Sequence, residues 1–289
     1  MIPNDHNLTP SNNDHLRNQG PLIQPADIDC SAASVLVNHL VTAGVRGLLL
    51  DWDGCMTALN GGWHGVLVNE CLARCPSFKA QVTLKEAIDA YEGPGHGIDW
   101  FTLFENYLVR PKLQELPDCD KRTTQVMREL RSQMPIVAQE FAEGSFAQEV
   151  IIRPNPGVEE FLTHARDAGI SLTVITMTPT AIVQAFAGRS GLSRLISDFH
   201  GCETFADFPE TKLDPKLWVE SAARADLSIK DVAIVEDSKR SLQGAVRSGA
   251  AVVISLTPGV HYLETDLSPS SQLWIAKTLG DMNSVAAQR

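Results

Sequence analysis

Four carboxylates stand out because each follows an apolar run that is typical of a buried strand. Asp51 and Asp53 follow one such run, and Glu236 and Asp237 follow another. The carboxyl ends of parallel strands meet at one edge of an α/β sheet, so we expect the four to converge. Like charges at that distance repel strongly in a partly dry site. Since no His or Cys accompanies this oxygen-only set, it predicts a bound Mg²⁺ that relieves the repulsion.

A magnesium ion beside surplus carboxylates suits phosphate chemistry. Asp51 can attack phosphorus as an oxygen nucleophile and so split one difficult displacement into two easier ones. Asp53 can protonate the leaving alcohol and later take a proton from the attacking water. The backbone amides from Trp52 to Gly54 can hold phosphoryl oxygens, and the glycine allows the backbone to approach the ligand closely.

Two further groups fit a phosphate site. Thr176 ends the apolar run at 170–176, and its hydroxyl can donate to a phosphoryl oxygen. Met177, directly after it, is a further candidate for phosphate binding. Lys212 offers a cation that offsets the charge of the phosphate dianion. Taken alone, Lys212 could equally be a surface lysine that precedes a helix.

Apolar strands alternate with helices along the chain. We predict helices at 31–43, 157–168, 179–189, 214–226 and 239–248, and strands at 48–50, 170–176, 231–235, 250–255 and 273–276. The strands are continuous apolar runs rather than alternating ones, as expected when both faces of a parallel sheet are covered. This alternation predicts an α/β fold with a doubly wound parallel sheet.

The residues between the first two strands have a different character. Helical periodicity appears at 66–76, 82–91, 99–109 and 121–143 without a convincing strand. We therefore predict a core at 31–60 and 154–289 and a helical domain inserted at 61–153, with hinges near 60–62 and 153–157. Residues 1–30 are polar and are predicted to form a flexible tail.

Several motifs together resemble those of the haloacid dehalogenase superfamily, specifically the subfamily I phosphatases and β-phosphoglucomutase-like proteins with an α-helical C1 cap. The resemblance rests on DWDGCMT (51–57), LTVIT ending at Thr176, KLDP (212–215), VAIVEDSKRSLQGAVRSGA (232–250) and PNPGVEEFL (154–162). The motifs keep the order and spacing of the family over about residues 46–285. Two departures are Leu213, where the family has proline, and Cys55, where it has threonine or valine.

The resemblance implies a Rossmann-like core, an inserted α-helical cap domain, Mg²⁺ and an aspartyl-phosphate intermediate. By motif position, Asp51 is the nucleophile and Asp53 the acid/base, while Thr176 and Lys212 bind the phosphate. The implied metal ligands are Asp51, the backbone carbonyl of Asp53, Asp237 and, nearby, Glu236. We expect Cys55 to be a small buried residue.

Substrate selection is expected to lie with the inserted helices. The polar, Gly-rich stretch at 91–101 resembles a loop that lowers onto an active site. Glu92, His96, Asp99 and Arg110 are therefore candidates for contacting the leaving group. For each, the alternative is a solvated side chain with no contact to substrate.

Composition limits the possible partners. Lys and Arg total 24 and Asp and Glu total 35, a formal charge of −11 that disfavours binding to nucleic acid or anionic lipid. No apolar run reaches the ~20 residues that span a bilayer, and the N-terminus does not resemble a secretory signal. Six cysteines without a C-x-x-C pair fit reduced thiols. We therefore expect a cytoplasmic protein, either a monomer or a weak homodimer, that acts on a small phosphorylated substrate.

The leading hypothesis is a Mg²⁺-dependent phosphatase for a small phosphorylated metabolite. An acid at position 53 favours phosphate esters over the halogen or phosphonate substrates of related enzymes. The alternatives are a sugar phosphomutase of the β-phosphoglucomutase type and a non-catalytic binding protein with the same fold.

Overall fold

The computed structural model describes residues 32–57, 63–92, 99–143, 154–205, 211–257, 260–276, 279 and 286–288. The predicted tail at 1–30 and the predicted hinge at 60–62 lie outside the described residues. None of the helices in the described part of the chain is long and apolar enough to cross a membrane.

Seven strands form a single sheet. They are Gly47–Leu50 (β1), Ser171–Ile175 (β2), Asp198–His200 (β3), Val232–Glu236 (β4), Val252–Ser255 (β5), Gln272–Ile275 (β6) and Ala286–Gln288 (β7). Their order across the sheet is β3-β2-β1-β4-β5-β6-β7. The first six strands are parallel, and β7 pairs with β6 in the antiparallel direction. The predicted α/β class with a doubly wound, Rossmann-like parallel sheet is confirmed.

Helices account for most of the remaining elements. They are Ala32–Thr42 (α1), Trp63–Ala73 (α2), Leu84–Glu92 (α3), Trp100–Phe104 (α4), Arg110–Leu113 (α5), Cys119–Ala142 (α6), Val158–Asp167 (α7), Thr180–Arg189 (α8), Pro215–Arg224 (α9) and Lys239–Arg247 (α10). A π-helical segment, Glu105–Val109, joins α4 to α5.

Both faces of the sheet are covered. Leu48 and Leu50 of β1 belong to an apolar cluster that includes residues of α1, α7 and α8, whereas Leu49 belongs to a second cluster with residues of α9 and α10. All three leucines are buried. Burial on both faces explains why β1 is a continuous apolar run.

The segments between β1 and α7 form a helical insert, defined here as residues 63–92 and 99–143. Its first and last connections lie side by side, because Thr57 and Pro154 form an isolated β-bridge and the amide of Asn155 donates to the carbonyl of Met56 over 2.8 Å. The C-terminal part of α6 packs on the core helix α8, where the rings of Phe141 and Phe186 meet edge to face with centroids 5.6 Å apart.

The structure contains features that the sequence pattern did not predict. The edge strands β3 and β7 have three residues each, too few to produce an apolar run. The helix predicted at 99–109 is interrupted by the π-helical segment, which periodicity cannot distinguish from a regular helix. The five predicted strands and the predicted core helices are present, with ends that differ by at most two residues.

Candidate active site

A buried ion-pair network lies at the carboxyl edge of the sheet. Asp51 comes directly after β1, and its amide continues the ladder by donating to the carbonyl of Val235 over 3.0 Å. The ammonium of Lys212 binds the carboxylate of Asp51 and lies 2.8 Å from Oε2 of Glu236. All three charged residues are at most 5% exposed. Residues far apart in sequence thus place three charges within one buried volume.

Local packing fixes the position of Lys212. It lies in a short 3₁₀ turn, Thr211–Leu213, whose first residue has a positive φ of 54°. The indole N–H of Trp218 donates to the carbonyl of Lys212 over 3.0 Å. Gly244 of α10 lies against the same carbonyl, and a Cβ at that glycine would be 2.1 Å from the oxygen. The turn is therefore held between α9 and α10, and the ammonium reaches the sheet edge.

Glu236 has both carboxylate oxygens occupied. Oε2 accepts from Lys212, while Oε1 accepts from the amides of Asp237 and Ser238 at 3.2 and 3.0 Å. These contacts favour a role in holding Lys212 over the predicted role as a metal ligand, which stays a prediction.

Asp51, Cys55 and Asp237 bring potential ligand atoms to within 4.8 Å of one another. Burial, together with the charge of Glu236, raises the pKa of Asp51 well above its usual range and that of Asp237 to about 8. Crowding of carboxylates is thus unfavourable for the bare protein, and a divalent cation would relieve it. The oxygens of Asp51 and Asp237 fit Mg²⁺.

Cys55 does not fit that donor set. Burial and the neighbouring carboxylates raise the pKa of its thiol well above the usual value, so the sulfur stays protonated and is a poor ligand for a hard cation. The side chain is 1% exposed, in agreement with the expectation of a small buried residue.

Gly54 allows the loop after β1 to approach Asp237. Its φ is +84°, and a Cβ there would lie 1.8 Å from Oδ2 of Asp237. The side-chain amide of Asn155 donates to the carbonyls of Gly54 and Cys55 at 2.9 and 3.0 Å. The sequence assigned Asn155 only to a hinge. A polar side-chain amide where the chain returns from the insert to the core was the one signal of its contact with the loop after β1.

Hydroxyl groups after β2 complete the site. Thr176 is buried, and its amide donates to the carbonyl of His200 over 3.0 Å. Its Oγ1 accepts from the amide of Thr178 at 3.1 Å, and the hydroxyl of Thr178 donates to Oδ2 of Asp53 at 2.5 Å. The sequence shows that Thr176 and Thr178 are two residues apart, but it predicted no role for Thr178.

Trp52 and Met177 contribute their side chains to packing. The indole of Trp52 is fully buried, and the side chain of Met177 packs against the apolar clusters on both faces of the sheet. Any contact of these two residues with phosphate must therefore come from the backbone, as predicted for the amide of Trp52.

The leaving-group candidates in the helical insert remain predictions. Asp99 caps α4 by accepting from the amide of Thr102 at 3.0 Å. The guanidinium of Arg110 pairs with Asp120 at 2.5 Å and with Glu105 at 3.1 Å. The side chain of Glu92 and the whole of His96 lie outside the described part of the structure.

The chain matches the haloacid dehalogenase-like hydrolase family over residues 45–249 and belongs to that family. A haloacid dehalogenase-like hydrolase domain-containing protein of Arabidopsis thaliana is 31% identical over 110 residues, which are 37% of this chain and 34% of the relative. A phosphoglycolate phosphatase of Haemophilus influenzae is 29% identical over 43% of this chain and 54% of the relative. The chain thus spans about half or less of the length of the curated relatives it matches.

Solved structures show the same fold. A predicted phosphoglycolate phosphatase from Haemophilus somnus superposes with a TM-score of 0.55 at 19% identity, covering 83% of this chain and 97% of the other. CbbY from Rhodobacter sphaeroides, solved in complex with phosphate, gives a TM-score of 0.56 at 16% identity, covering 82% of this chain and 96% of the other.

Proposed function

We propose that the protein is a Mg²⁺-dependent phosphatase that hydrolyses a small phosphate monoester through an aspartyl-phosphate intermediate. The observation that carries the proposal is the buried contact of Lys212 with Asp51, next to the carboxylate of Asp237. Membership of a hydrolase family supports it, as do relatives named as phosphoglycolate phosphatases.

The charge balance of the site supports a metal-bound phosphate. The side chains of Asp51 and Asp237, with the backbone carbonyl of Asp53, would hold Mg²⁺. When bound, the cation would offset negative charge on the carboxylates and on the phosphate. Lys212 provides a second positive charge beside Asp51, held there by Glu236.

In the first half-reaction an oxygen of Asp51 forms a bond to phosphorus while the bond to the leaving oxygen breaks. Asp53 gives its carboxyl proton to that leaving oxygen, so the product departs as a neutral alcohol. The amides of Trp52 and Asp53 and the hydroxyl of Thr176 bind the phosphoryl oxygens. Their fixed positions stabilise charge as it develops in the transition state.

In the second half-reaction water attacks the phosphorus of the aspartyl phosphate. Asp53, now a carboxylate, takes a proton from this water, the bond between Asp51 and phosphorus breaks, and inorganic phosphate leaves. Asp51 is thereby regenerated as a carboxylate. One side chain serves as acid and then as base, which requires that it keep its position through both steps.

The substrate class follows from the relatives and the insert. We expect a small phosphorylated acid or sugar, with the helical insert acting as the cap domain of residues 61–153. Asp99 and Arg110 stay candidates for contacts with the leaving group, together with Glu92 and His96. Trp52 is assigned to phosphate binding through its amide. The Gly54 amide, predicted for the same role, instead donates to the carbonyl of Thr57 over 2.9 Å, so this glycine contributes the close approach of the loop.

Hydrolysis of 4-nitrophenyl phosphate with Mg²⁺ tests the proposal. Wild type should turn over, EDTA should abolish turnover, and Asp51→Asn should lower it by at least about 10³-fold, since the nucleophile is lost. A panel of phosphoglycolate, glycerol phosphate and hexose phosphates, scored by phosphate release, then ranks substrates. Equal turnover by wild type and Asp51→Asn would refute the assigned nucleophile.

A further inference from the structure

Thr178 connects the acid/base group to the phosphate-binding strand end. Its hydroxyl donates to Oδ2 of Asp53 at 2.5 Å, although the two residues are 125 positions apart in the sequence. Thr178 is 1% exposed, so bulk water does not compete for this hydrogen bond. A short bond from a hydroxyl to a carboxylate is among the stronger hydrogen bonds in proteins.

The backbone of Thr178 is fixed on both sides. Its amide donates to Oγ1 of Thr176 at 3.1 Å, and its carbonyl accepts from the amide of Cys202 at 3.3 Å. Gly201 lies so close that a Cβ there would be 2.7 Å from the same carbonyl oxygen. Because threonine is branched at Cβ, its side chain has few rotamers available. The hydroxyl is therefore presented to Asp53 from a rigid support.

The same residue also orients Thr176. By donating to Oγ1, the amide of Thr178 occupies one acceptor position on that hydroxyl and leaves its proton available for another acceptor. In the proposed mechanism that acceptor is a phosphoryl oxygen. Thr178 thus links the group that binds phosphate with the group that transfers protons.

We infer that Thr178 is a positioning residue for Asp53 and that its hydroxyl holds the acid/base carboxyl in place for both proton transfers. This inference rests on the proposed phosphatase function. Protonation of the leaving oxygen and deprotonation of water both require the carboxyl within hydrogen-bond reach of an oxygen on the substrate side. A side chain free to rotate would spend part of its time elsewhere, and misplacement lowers the rate without weakening substrate binding.

Two variants and two kinds of ester test the inference. Thr178→Val keeps the branched shape but removes the hydroxyl, and Thr178→Ser keeps the hydroxyl. The first ester is 4-nitrophenyl phosphate, whose leaving group needs no proton. The second is the alkyl phosphate that wild type hydrolyses fastest, whose leaving alkoxide needs one. Circular dichroism and thermal melts verify that both variants are folded.

With the alkyl ester, we expect Thr178→Val to lower kcat by at least about tenfold, a part of the ~10²–10⁴-fold that acid–base catalysis supplies. KM should change by less than about twofold, since substrate binding is intact. With the aryl ester, Thr178→Val should form the aspartyl phosphate normally and hydrolyse it slowly. A rapid burst of nitrophenolate, close to one per enzyme molecule, should then precede slow turnover. Thr178→Ser should restore most of kcat and remove the burst.

Other outcomes overturn the inference. If Thr178→Val keeps the kcat of wild type on the alkyl ester, the hydroxyl does not position Asp53. If both variants lose the same activity and show no burst, the role of Thr178 is only structural. If wild type itself hydrolyses neither ester, the phosphatase function fails, and this inference fails with it.

Discussion

Ion pairs at the carboxyl edge of the sheet are buried, whereas those of the helical insert are exposed to solvent. At the edge, Lys212 is shared between Asp51 and Glu236, and all three side chains are buried. In the insert, Lys112 meets Glu86 at 2.7 Å with side chains 32% and 42% exposed. The edge joins residues from distant parts of the chain, whereas the insert pairs its charges within itself.

The difference in burial indicates that the two sets of ion pairs have different roles. Burying ions is costly, and a buried ion pair is weak evidence for stability because the loss of hydration offsets the attraction. Exposed pairs contribute little either way. Under the proposed function, the charges at the edge are retained because they act on a phosphate ester, while those of the insert keep its helices solvated. Substitutions in the two regions should differ accordingly.

The largest difference is expected between two lysines. Lys212→Met leaves Asp51 and Glu236 buried without a counter-charge, so the free energy of unfolding should fall by about 3–5 kcal/mol. Turnover should fall at least about 10²-fold, because a positive charge next to the phosphate is lost. Lys112→Met is the matched control, with turnover and melting temperature close to wild type. Denaturant titration measures the free energy of unfolding and 4-nitrophenyl phosphate assays measure turnover. Equal losses in Lys212→Met and Lys112→Met would contradict the proposed difference between the two regions.

Two glycines with the same backbone conformation give the next contrast. Gly44 has φ +78° and Gly54 φ +84°, but a Cβ at Gly44 meets no atom within 4 Å, whereas one at Gly54 would collide with Asp237. Gly44→Ala should cost only backbone strain of about 1–2 kcal/mol and leave kcat unchanged. Gly54→Ala should add a displacement of Asp237 and lower kcat by about tenfold or more. Similar kcat values for both variants would show that the loop need not approach Asp237.

A third contrast concerns the pH dependence of the metal-free protein. The folded-state pKa of Asp237 is about 8 and its ordinary value is 3.8. Between these values the folded protein holds a proton that the unfolded chain has released. In EDTA, the free energy of unfolding should therefore fall as pH rises from about 5 to 8, by up to about 1.4 kcal/mol per unit from this group.

Asp237→Asn isolates that contribution, because the amide does not titrate while every histidine is retained. Its melting temperature should depend less on pH over the same interval. If the melting temperatures of wild type and Asp237→Asn depend on pH in the same way, the pKa of Asp237 is not raised in the folded protein.

The smallest effect is expected from an ion pair inside the insert. Arg74, directly after α2, binds Glu140 of α6 through two bonds of 3.1 and 2.6 Å, but both side chains are about one-third exposed. Arg74→Gln should lower the melting temperature only slightly and leave kcat and KM unchanged, which steady-state assays and thermal melts would measure. A large loss of turnover would show that this pair controls the position of the insert over the active site.

The sequence predicted the site best where a buried strand and a catalytic carboxylate are adjacent in the chain. Apolar runs that end in acidic residues predicted β1 and β4 and placed Asp51 and Asp237 at the same sheet edge. Lys212 was identified from its motif, although its contacts with Asp51 and Glu236 depend on the turn packed between α9 and α10. Such packing involves residues that no local pattern connects.

Other features could not be predicted from periodicity. Thr178 and Asn155 contact the loop after β1 through hydrogen bonds between residues at least 100 positions apart, and a lone polar side chain in a loop gives no sign of its partner. Glu236 was predicted to bind metal because it follows a strand at the same sheet edge, and this stays a prediction. Periodicity gave no sign that its oxygens accept from Lys212 and from backbone amides.

Direct detection of the covalent intermediate tests the central claim. Wild type mixed with 4-nitrophenyl phosphate and Mg²⁺ would be quenched in acid within the first turnovers, digested and examined by mass spectrometry. We expect one phosphoryl group on the peptide that contains Asp51 and none in Asp51→Asn treated in the same way. Turnover with no phosphoryl group on that peptide, or with one attached to another residue, would contradict the account.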